Sequence, residues 1–423
     1  MRKISLIVVC LVLLSILAGA CLPNTYITPV QIHITPGDEI KQVRIAVDAA
    51  GRKHIAGVVD DRIVYYRTQL GEQELALTMT MSGYGTNWIQ YDPDIAVTDG
   101  GAAFVVWVEQ RGGIDKYACY RPIPQSPPIG GYRTGCVALD EDDYKTRGIT
   151  RVVGRGNVVY AVYDRLPPMG NYPLLYKELT GSTTGLIVEY PSIIYQIDIA
   201  IDSSGKLHVV YIDHRAAEPY IALWYRSNAQ TDGTTMDQIW RIVPLQEIDP
   251  MFTPSITFHK VDGPEMVTIA STLKLASGGH LVNLQYCKAS DCSLKDGLNT
   301  LPLPYTNWDI SEVKILGGKL YSEFYSICFI GSNSTTSHAQ VWCWHAPFDG
   351  TPIQVTDNSH NKYNLEVVDG GIPIVGFLEK WSTIITDRYR ASIYESAKGL
   401  REIGTFNCNG VSSIYSDMAA NPR

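Results

Sequence analysis

The sequence predicts an all-β fold made of seven copies of one four-stranded unit, and three observations carry that prediction. The composition favours strands and turns, with 45% hydrophobic residues, 36 Gly and 26 Tyr in 423 residues. The motif Asp-x-x-Gly-x-x-His follows an apolar strand twice, at Ile45-Ala46-Val47-Asp48 with Gly51 and His54, and at Ile199-Ala200-Ile201-Asp202 with Gly205 and His208. An aromatic residue closes a strand at Tyr66, Tyr120, Tyr176, Tyr225, Tyr286, Trp344 and Tyr394, positions 49 to 61 residues apart.

Residues 1–21 read as an export signal: Arg2 and Lys3 are followed by an apolar run from Ile4 to Leu17, then by Ala18-Gly19-Ala20 ahead of Cys21. The Cys at the cleavage point predicts a lipoprotein-type signal with Cys21 as the lipidation site, although Ala18 and Ala20 also suit ordinary signal cleavage. No later stretch is long and apolar enough to span a bilayer. Residues 22–41 form a linker; its segment Asn24 to Thr35 and the tail after Phe406 are the candidates for the strand that closes the ring. The repeats fill 42–406 and a tail occupies 407–423.

Each repeat reads as strand A, a turn bearing Gly or Asp, strand B, a loop, strand C and a shorter strand D. A third copy opens at Asp94-Ile95-Ala96-Val97. Strand B recurs as Phe104 to Val108, Val158 to Tyr163, Val209 to Ile212 and Ile374 to Leu378. A single twisted sheet cannot bury both faces, so four strands at this period predict a seven-bladed β-propeller of antiparallel blades. The fifth and sixth units, Ser255 to Asp291 and Asp309 to Phe348, are the most degenerate. No segment after the signal has helical periodicity.

Export makes disulfides the expected state of the cysteines. Cys328 and Cys343 flank one turn, and Cys119 with Cys136 and Cys287 with Cys292 are near neighbours on successive strands. Cys408 is then odd if Cys21 is lipidated, or its partner if not. Without Cys-x-x-Cys or clustered His, no metal site is predicted. The acidic run Asp140 to Asp143 lacks the spacing of a calcium loop.

Several classes are excluded. The net charge of −8 and the absence of a basic stripe argue against nucleic acid. No phosphate loop, dinucleotide fingerprint, Gly-x-Ser-x-Gly or His-Glu-x-x-His is present, and no cofactor is predicted.

An acidic residue recurs eight places after the repeat glycine, at the end of strand B: Glu109, Asp164, Asp213 and Glu379, with Arg111, Arg165, Arg215 and Lys380 close behind. Blade one has Asp60 one place late, and blades five and six have Ser271 and Ser326. The B-C loops and D-A connections share one end of a propeller, so these residues would surround one mouth of its channel. As a functional set they suit a glycan, with Arg111, Arg165, Asp213, His214, Arg215, Glu379 and Lys380 as ligand contacts. Asp164, Asp213 and Glu109 are then the candidates for acid and base in glycan cleavage. As a structural set, each acid and its neighbouring base lock one blade to the next, which recurrence in register also predicts. The asymmetric elements are Asp213-His214-Arg215 and the loop Leu166 to Gly170. His54 and His208 are expected to partner the Asp of their own turn.

The recurring apolar-Asp-x-x-Gly-x-x-His-Val-Val-Tyr and Trp/Tyr-x-Glu/Asp…Arg wording resembles exported bacterial propellers of the sialidase-like, BNR-repeat group, over nearly the whole chain after the signal. The Ser-x-Asp-x-Gly-x-x-Trp box of that group is not intact here, so the resemblance implies a fold more than a sialidase activity. The expected function is a ligand-binding module, for a glycan or an envelope protein, held at the membrane by its N-terminal lipid. The alternatives are a glycoside hydrolase or lyase, and an envelope-complex scaffold.

Overall fold

The computed structural model describes residues 30–31, 40–68, 75–81, 88–126, 136–140, 144–166, 172–188, 192–215, 221–227, 240–244, 254–260, 264–274, 279–289, 299–300, 308–317, 325–333, 336–345, 352–356, 359–369, 373–382, 387–395, 407–408 and 411–412. Regular structure among them is entirely β. Strand A of the seven successive sheets is Ile40–Val47, Ile89–Val97, Thr150–Arg155, Ser192–Ile201, Ser255–Lys260, Asp309–Gly317 and Lys362–Asp369. Strand B is Lys53–Val59, Ala103–Arg111, Val158–Asp164, Leu207–Arg215, Glu265–Lys274, Tyr325–Ser332 and Pro373–Ser382. Strand C is Arg62–Thr68, Asp115–Ile123, Leu174–Glu178, Ile221–Ser227, His280–Lys288, Gln340–His345 and Asp387–Glu395. All pairings within the sheets are antiparallel, in the order A-B-C-D.

Strand D of blades one to six comes from the same repeat, ending with Ile353–Gln354 in blade six. Blade seven takes its fourth strand from the other end of the chain: Val30 pairs with Ile393 and Gln31 with Ser392. That strand lies within the segment expected to close the ring. Among the described residues of the tail, Asn407–Cys408 and Val411–Ser412 form a two-stranded hairpin of their own rather than a strand of the ring.

Burial follows from stacking these sheets. Seven apolar clusters form, each shared by two consecutive blades, and the blade seven to blade one cluster joins Ile374 and Leu378 to Ile40, Val43, Ile45 and Tyr66. Strand A of each blade also meets strand A of the next, including Ile40–Val47 against Lys362–Asp369. The ring is closed, with strand A innermost. At about 25 cal/mol per Å² of apolar area, this stacking is the main stabilising force for sheets that would otherwise expose both faces.

The repeat motif has a local cause. Gly51, Gly101, Gly156 and Gly205 have φ of +84°, +77°, +63° and +83°, the left-handed region that the A-B turn needs and that a side chain disfavours. In blades one and four the turn Asp accepts backbone N–H bonds from within the turn, Asp48 from Ala50 and Arg52, and Asp202 from Ser204 and Lys206. Its other oxygen meets the His, at 3.2 Å for His54 and 3.3 Å for His208. The far ring nitrogen meets a tyrosine hydroxyl, Tyr65 at 2.7 Å and Tyr225 at 2.5 Å. Burial pushes both His pKa values down, opposed by the Asp.

The strand-C aromatics need two corrections of register. Tyr120, Tyr176 and Tyr225 pack towards the following blade, whereas Tyr66 and Trp344 pack on the preceding one. The equivalents facing forward are Tyr65 and Cys343. A one-residue slip moves a side chain to the other face of the sheet, and adjacent aromatics hide it in the sequence.

Candidate functional site

The acids at the end of strand B are buried, with Glu109 and Asp213 at 0% exposure, Asp164 at 3% and Glu379 at 4%. Glu109 accepts hydrogen bonds from Gln90 Nε2 at 2.9 Å and Arg111 Nε at 3.0 Å, and Gln90 Oε1 in turn accepts the backbone N–H of Ile63 in blade one. The chain Glu109–Gln90–Ile63 therefore ties two blades together. Asp164 accepts from Thr146 Oγ1 and from the backbone N–H groups of Arg147 (2.8 Å) and Ile149 (3.0 Å), which fixes the connection entering blade three. Burial raises its pKa, and those hydrogen bonds oppose the rise.

Among the sequence-adjacent basic partners, Arg111 pairs with its acid. Arg165 instead holds Asp140 through Nε at 2.5 Å and Nη2 at 2.7 Å, so the first residue of the acidic run is committed to an ion pair. Glu379 lies 3.3 Å from Lys362 Nζ at the start of its own strand A. Lys380 uses its backbone N–H on Asn361 O. In blades two and seven the register places the acid opposite the first residues of strand A, at Gln90↔Glu109 and Lys362↔Glu379, so its partner comes from across the sheet. Asp213 sits opposite Ile194 in blade four. The side chains of His214 and Arg215, and residues 167–170 and 141–143, lie outside the described residues, as do Cys21 and Cys292. Asp60 is exposed at φ +48° in the tight B-C hairpin of blade one, one step beyond the equivalent of the other acids. Ser271 lies late in strand B and accepts a bond from Asn283. Ser326 is misplaced in the sequence reading: it is at the start of strand B, opposite Leu316, and Ser332 holds the end position opposite Asp309.

A second set of charges, missed in the sequence, occupies the innermost strands. Arg44 Nη1 lies 2.6 Å from Glu366 Oε1, Arg151 Nη1 lies 2.9 Å from Asp92 Oδ2, and Lys314 Nζ lies 3.8 Å from Glu366. These side chains keep 10–19% exposure, unlike the strand-B acids. Asp94 is partly buried beside them: desolvation pushes its pKa up to about 6, although Arg151 and Arg44 pull it down. Burial likewise raises Glu312. The readable signal was a polar residue interrupting each apolar strand A.

These inner residues also stitch the ring. Gln42 accepts the Asp92 N–H, Asp94 that of Val152, Asp198 that of Ile256, Ser255 that of Ile315, Glu312 those of Asn364 and Leu365, and Asn364 that of Val43. Strand A carries a β-bulge in blades one, two, four, six and seven, and the bulges at Asp92 and Asn364 contain left-handed residues at φ +50° and +56°. A bulge re-aims side chains, which is how a strand that must pack on both sides also presents charge.

The end of the ring formed by D-A connections and B-C loops is the distinctive surface. All four exposed large hydrophobic residues among the described residues lie there: Ile89 and Tyr363 at the start of strand A, Tyr195 at a strand-A bulge, and Ile114 in the B-C turn of blade two at 89% exposure. Cation–aromatic stacks crowd the same end of blades two and three. Arg111 stands 4.3 Å from the Tyr117 ring and 5.0 Å from Trp88, Arg165 4.2 Å from Tyr144, and Arg147 3.5 Å from Tyr172.

The cysteines settle one further point. Cys119–Cys136 and Cys328–Cys343 are disulfides, the second directly across the strand B to strand C ladder, and Cys287 is disulfide-bonded as well. Glu109, Cys119 and Cys136 bring three donor atoms within 4.8 Å, but the disulfide consumes both thiols and Gln90 and Arg111 hold the carboxylate, so the trio does not fit a metal ion.

No protein-family model and no curated protein matches the chain. Among solved structures it is similar to an α-L-arabinanase of Penicillium chrysogenum complexed with arabinobiose, with a TM-score of 0.49 and 11% identity over 75% of this chain and 97% of that one. It is similar to the polysaccharide lyase Uly1, with a TM-score of 0.49 and 11% identity over 88% and 91%. The Hadza microbial sialidase Hz136 gives a TM-score of 0.43 and 11% identity over 70% and 66%.

Proposed function

We propose that this chain is an exported glycan-binding propeller that meets its ligand on the end carrying the D-A connections and B-C loops. The observation that carries the reading is the concentration of exposed Tyr195, Tyr363, Ile89 and Ile114 at that end. Aromatic faces stack on the C–H faces of sugar rings, and the neighbouring guanidinium and carboxylate groups are the donors and acceptors that hydroxyls need. The buried disulfides and the N-terminal export signal support an oxidising compartment. Lipidation of Cys21 would hold the propeller at the membrane, and an intact-mass measurement with a diacylglycerol adduct tests it. A linked Cys21–Cys408 peptide contradicts it.

A second reading, glycan cleavage, is supported by Asp94, whose pKa of about 6 is suited to a general acid. An immobilised glycan panel, with retained protein and released sugar read from the same wells, separates the two. Retention without release, weakened roughly tenfold by Tyr195→Ala or Tyr363→Ala as expected for a lost stacking contact, supports the binding module. Release abolished by Asp94→Asn makes it an enzyme. Silence across the panel leaves an envelope scaffold as the better account.

A further inference from the structure

The strand that closes the ring also fixes the end from which the chain leaves it towards Cys21. Strand C of each blade runs from the B-C connection to the end where the A-B turns lie, and Val30–Gln31 pairs antiparallel to strand C of blade seven. Gln31 stands opposite Ser392 and Val30 opposite Ile393, so the chain traced back from Gln31 to Val30 heads for the A-B end. Val30 is level with a residue two short of Glu395, where strand C finishes, and six from Asp387, where it starts. At about 3.3 Å per residue, Val30 lies about 7 Å from the A-B end of that strand and about 20 Å from its B-C end.

Cys21 precedes Val30 by nine residues, which bounds its distance from the sheet at about 32 Å whatever path the chain takes. A lipid on Cys21 reaches a bilayer lying across the A-B end without any reversal. To reach a bilayer across the opposite end, the chain must turn back at Val30. It must then use about 20 Å of that length along the edge of blade seven before it clears the D-A connections and B-C loops. The two ends also differ in surface. The exposed A-B turn residues include Ala50, Asp99, Asn157 and Ser203, all small or polar, whereas the four large exposed hydrophobic residues lie at the other end.

The geometry points to the A-B end of the ring as the surface set against the anchoring membrane, with the end carrying the D-A connections and B-C loops turned away from it. The inference rests on the reading of Cys21 as the lipidation site and adds a direction to it. Small polar turns suit contact with lipid headgroups, and the exposed Ile114, Tyr195 and Tyr363 stay clear of the bilayer. The ligand of the outer face is then presented from outside the anchoring membrane, as a free glycan or one on a facing surface, and is not a headgroup of the same bilayer.

The test reconstitutes the full lipidated chain on vesicles of phosphatidylethanolamine and phosphatidylglycerol that carry an acceptor-dye lipid. Donor dyes go on the two ends of one blade, through Asp99→Cys in the A-B turn of blade two or Ile114→Cys in its B-C turn, with the unsubstituted chain labelled in parallel as background. Strand Ala103–Arg111 and its turns hold the two positions roughly 30 Å apart, so energy transfer from Asp99→Cys should be at least about twofold stronger. Inserting about 20 Gly and Ser residues after Leu22 should bring the two transfers together. Equal transfer with the native tether, or stronger transfer from Ile114→Cys, overturns the orientation and leaves the lipid anchor standing. A difference that survives the longer tether overturns the tether as its cause. A chain that fails to float with the vesicles overturns the anchor and the orientation together.

Discussion

Replacing Asp164 with Ala would separate a structural acid from a ligand-binding one. The carboxylate is 3% exposed and accepts two backbone N–H bonds, from Arg147 and Ile149, together with the Thr146 hydroxyl. Alanine leaves those donors buried without an acceptor. At about 1–2 kcal/mol per orphaned amide, with a smaller cost for a hydroxyl that can turn, the expected loss is about 3–5 kcal/mol. Unfolding entropy scales to roughly 0.8–0.9 kcal/mol per degree for a chain of this length, so the melting midpoint should fall by about 4–6 °C. Asp164→Asn should lose a smaller part of this, because one carbonyl oxygen remains while the amide group faces a donor. Thermal unfolding followed by far-UV circular dichroism, paired with denaturant titration, reads both. A midpoint within a degree of the parent for the alanine variant would refute the reasoning and return Asp164 to the pool of functional acids.

Other perturbations follow the same logic. Asp94 has a folded pKa above its unfolded value of 3.8, so its protonation stabilises the fold fully below that pH and the benefit is lost as pH rises towards about 6; the unfolding free energy of the parent minus that of Asp94→Asn, from denaturant titration, should fall between pH 4 and 7 by an amount on the order of 3 kcal/mol. A flat difference contradicts it. Glu366→Gln strands Arg44 at the inner wall and should cost about 3 kcal/mol in denaturant titration, whereas the exposed Lys41–Asp61 pair should be silent on Lys41→Gln. Losing either disulfide, as Cys119→Ser with Cys136→Ser or Cys328→Ser with Cys343→Ser, releases a loop of 17 or 15 residues and should cost about 3 kcal/mol each, read as the midpoint of unfolding. His208→Leu removes a buried bridge between Asp202 and Tyr225 and should lower the midpoint by several degrees, with His54→Leu behaving alike.

The repeat was legible because its clearest copies announce themselves with local chemistry. A left-handed glycine in the A-B turn of blades one to four and an Asp–His contact six residues apart in blades one and four are short-range demands, written in a few adjacent residues. The disulfides at Cys119–Cys136 and Cys328–Cys343 were legible for the same reason. What failed to show were the side-chain partners and faces set by sheet register. Arg165 was read with Asp164 next to it, yet its partner is Asp140, and Lys362 reaches Glu379 only through the A-B ladder. Tyr65 with Tyr66 and Cys343 with Trp344 offered two choices per blade, and only sheet register chooses. The charged inner wall stayed hidden because a bulge, not a motif, turns residues such as Asp94 and Glu366 out of an apolar strand. The rim tyrosines Tyr195 and Tyr363 look like ordinary strand residues until exposure sets them apart.

Hydrogen–deuterium exchange with and without the first glycan retained from the panel tests the central claim most directly. The account predicts added protection at the start of strand A and in the B-C connections, around Ile89, Ile114, Tyr195 and Tyr363, with the A-B turns at Gly51 and Gly205 unchanged. Protection centred on those A-B turns, with the opposite end unaltered, would contradict it.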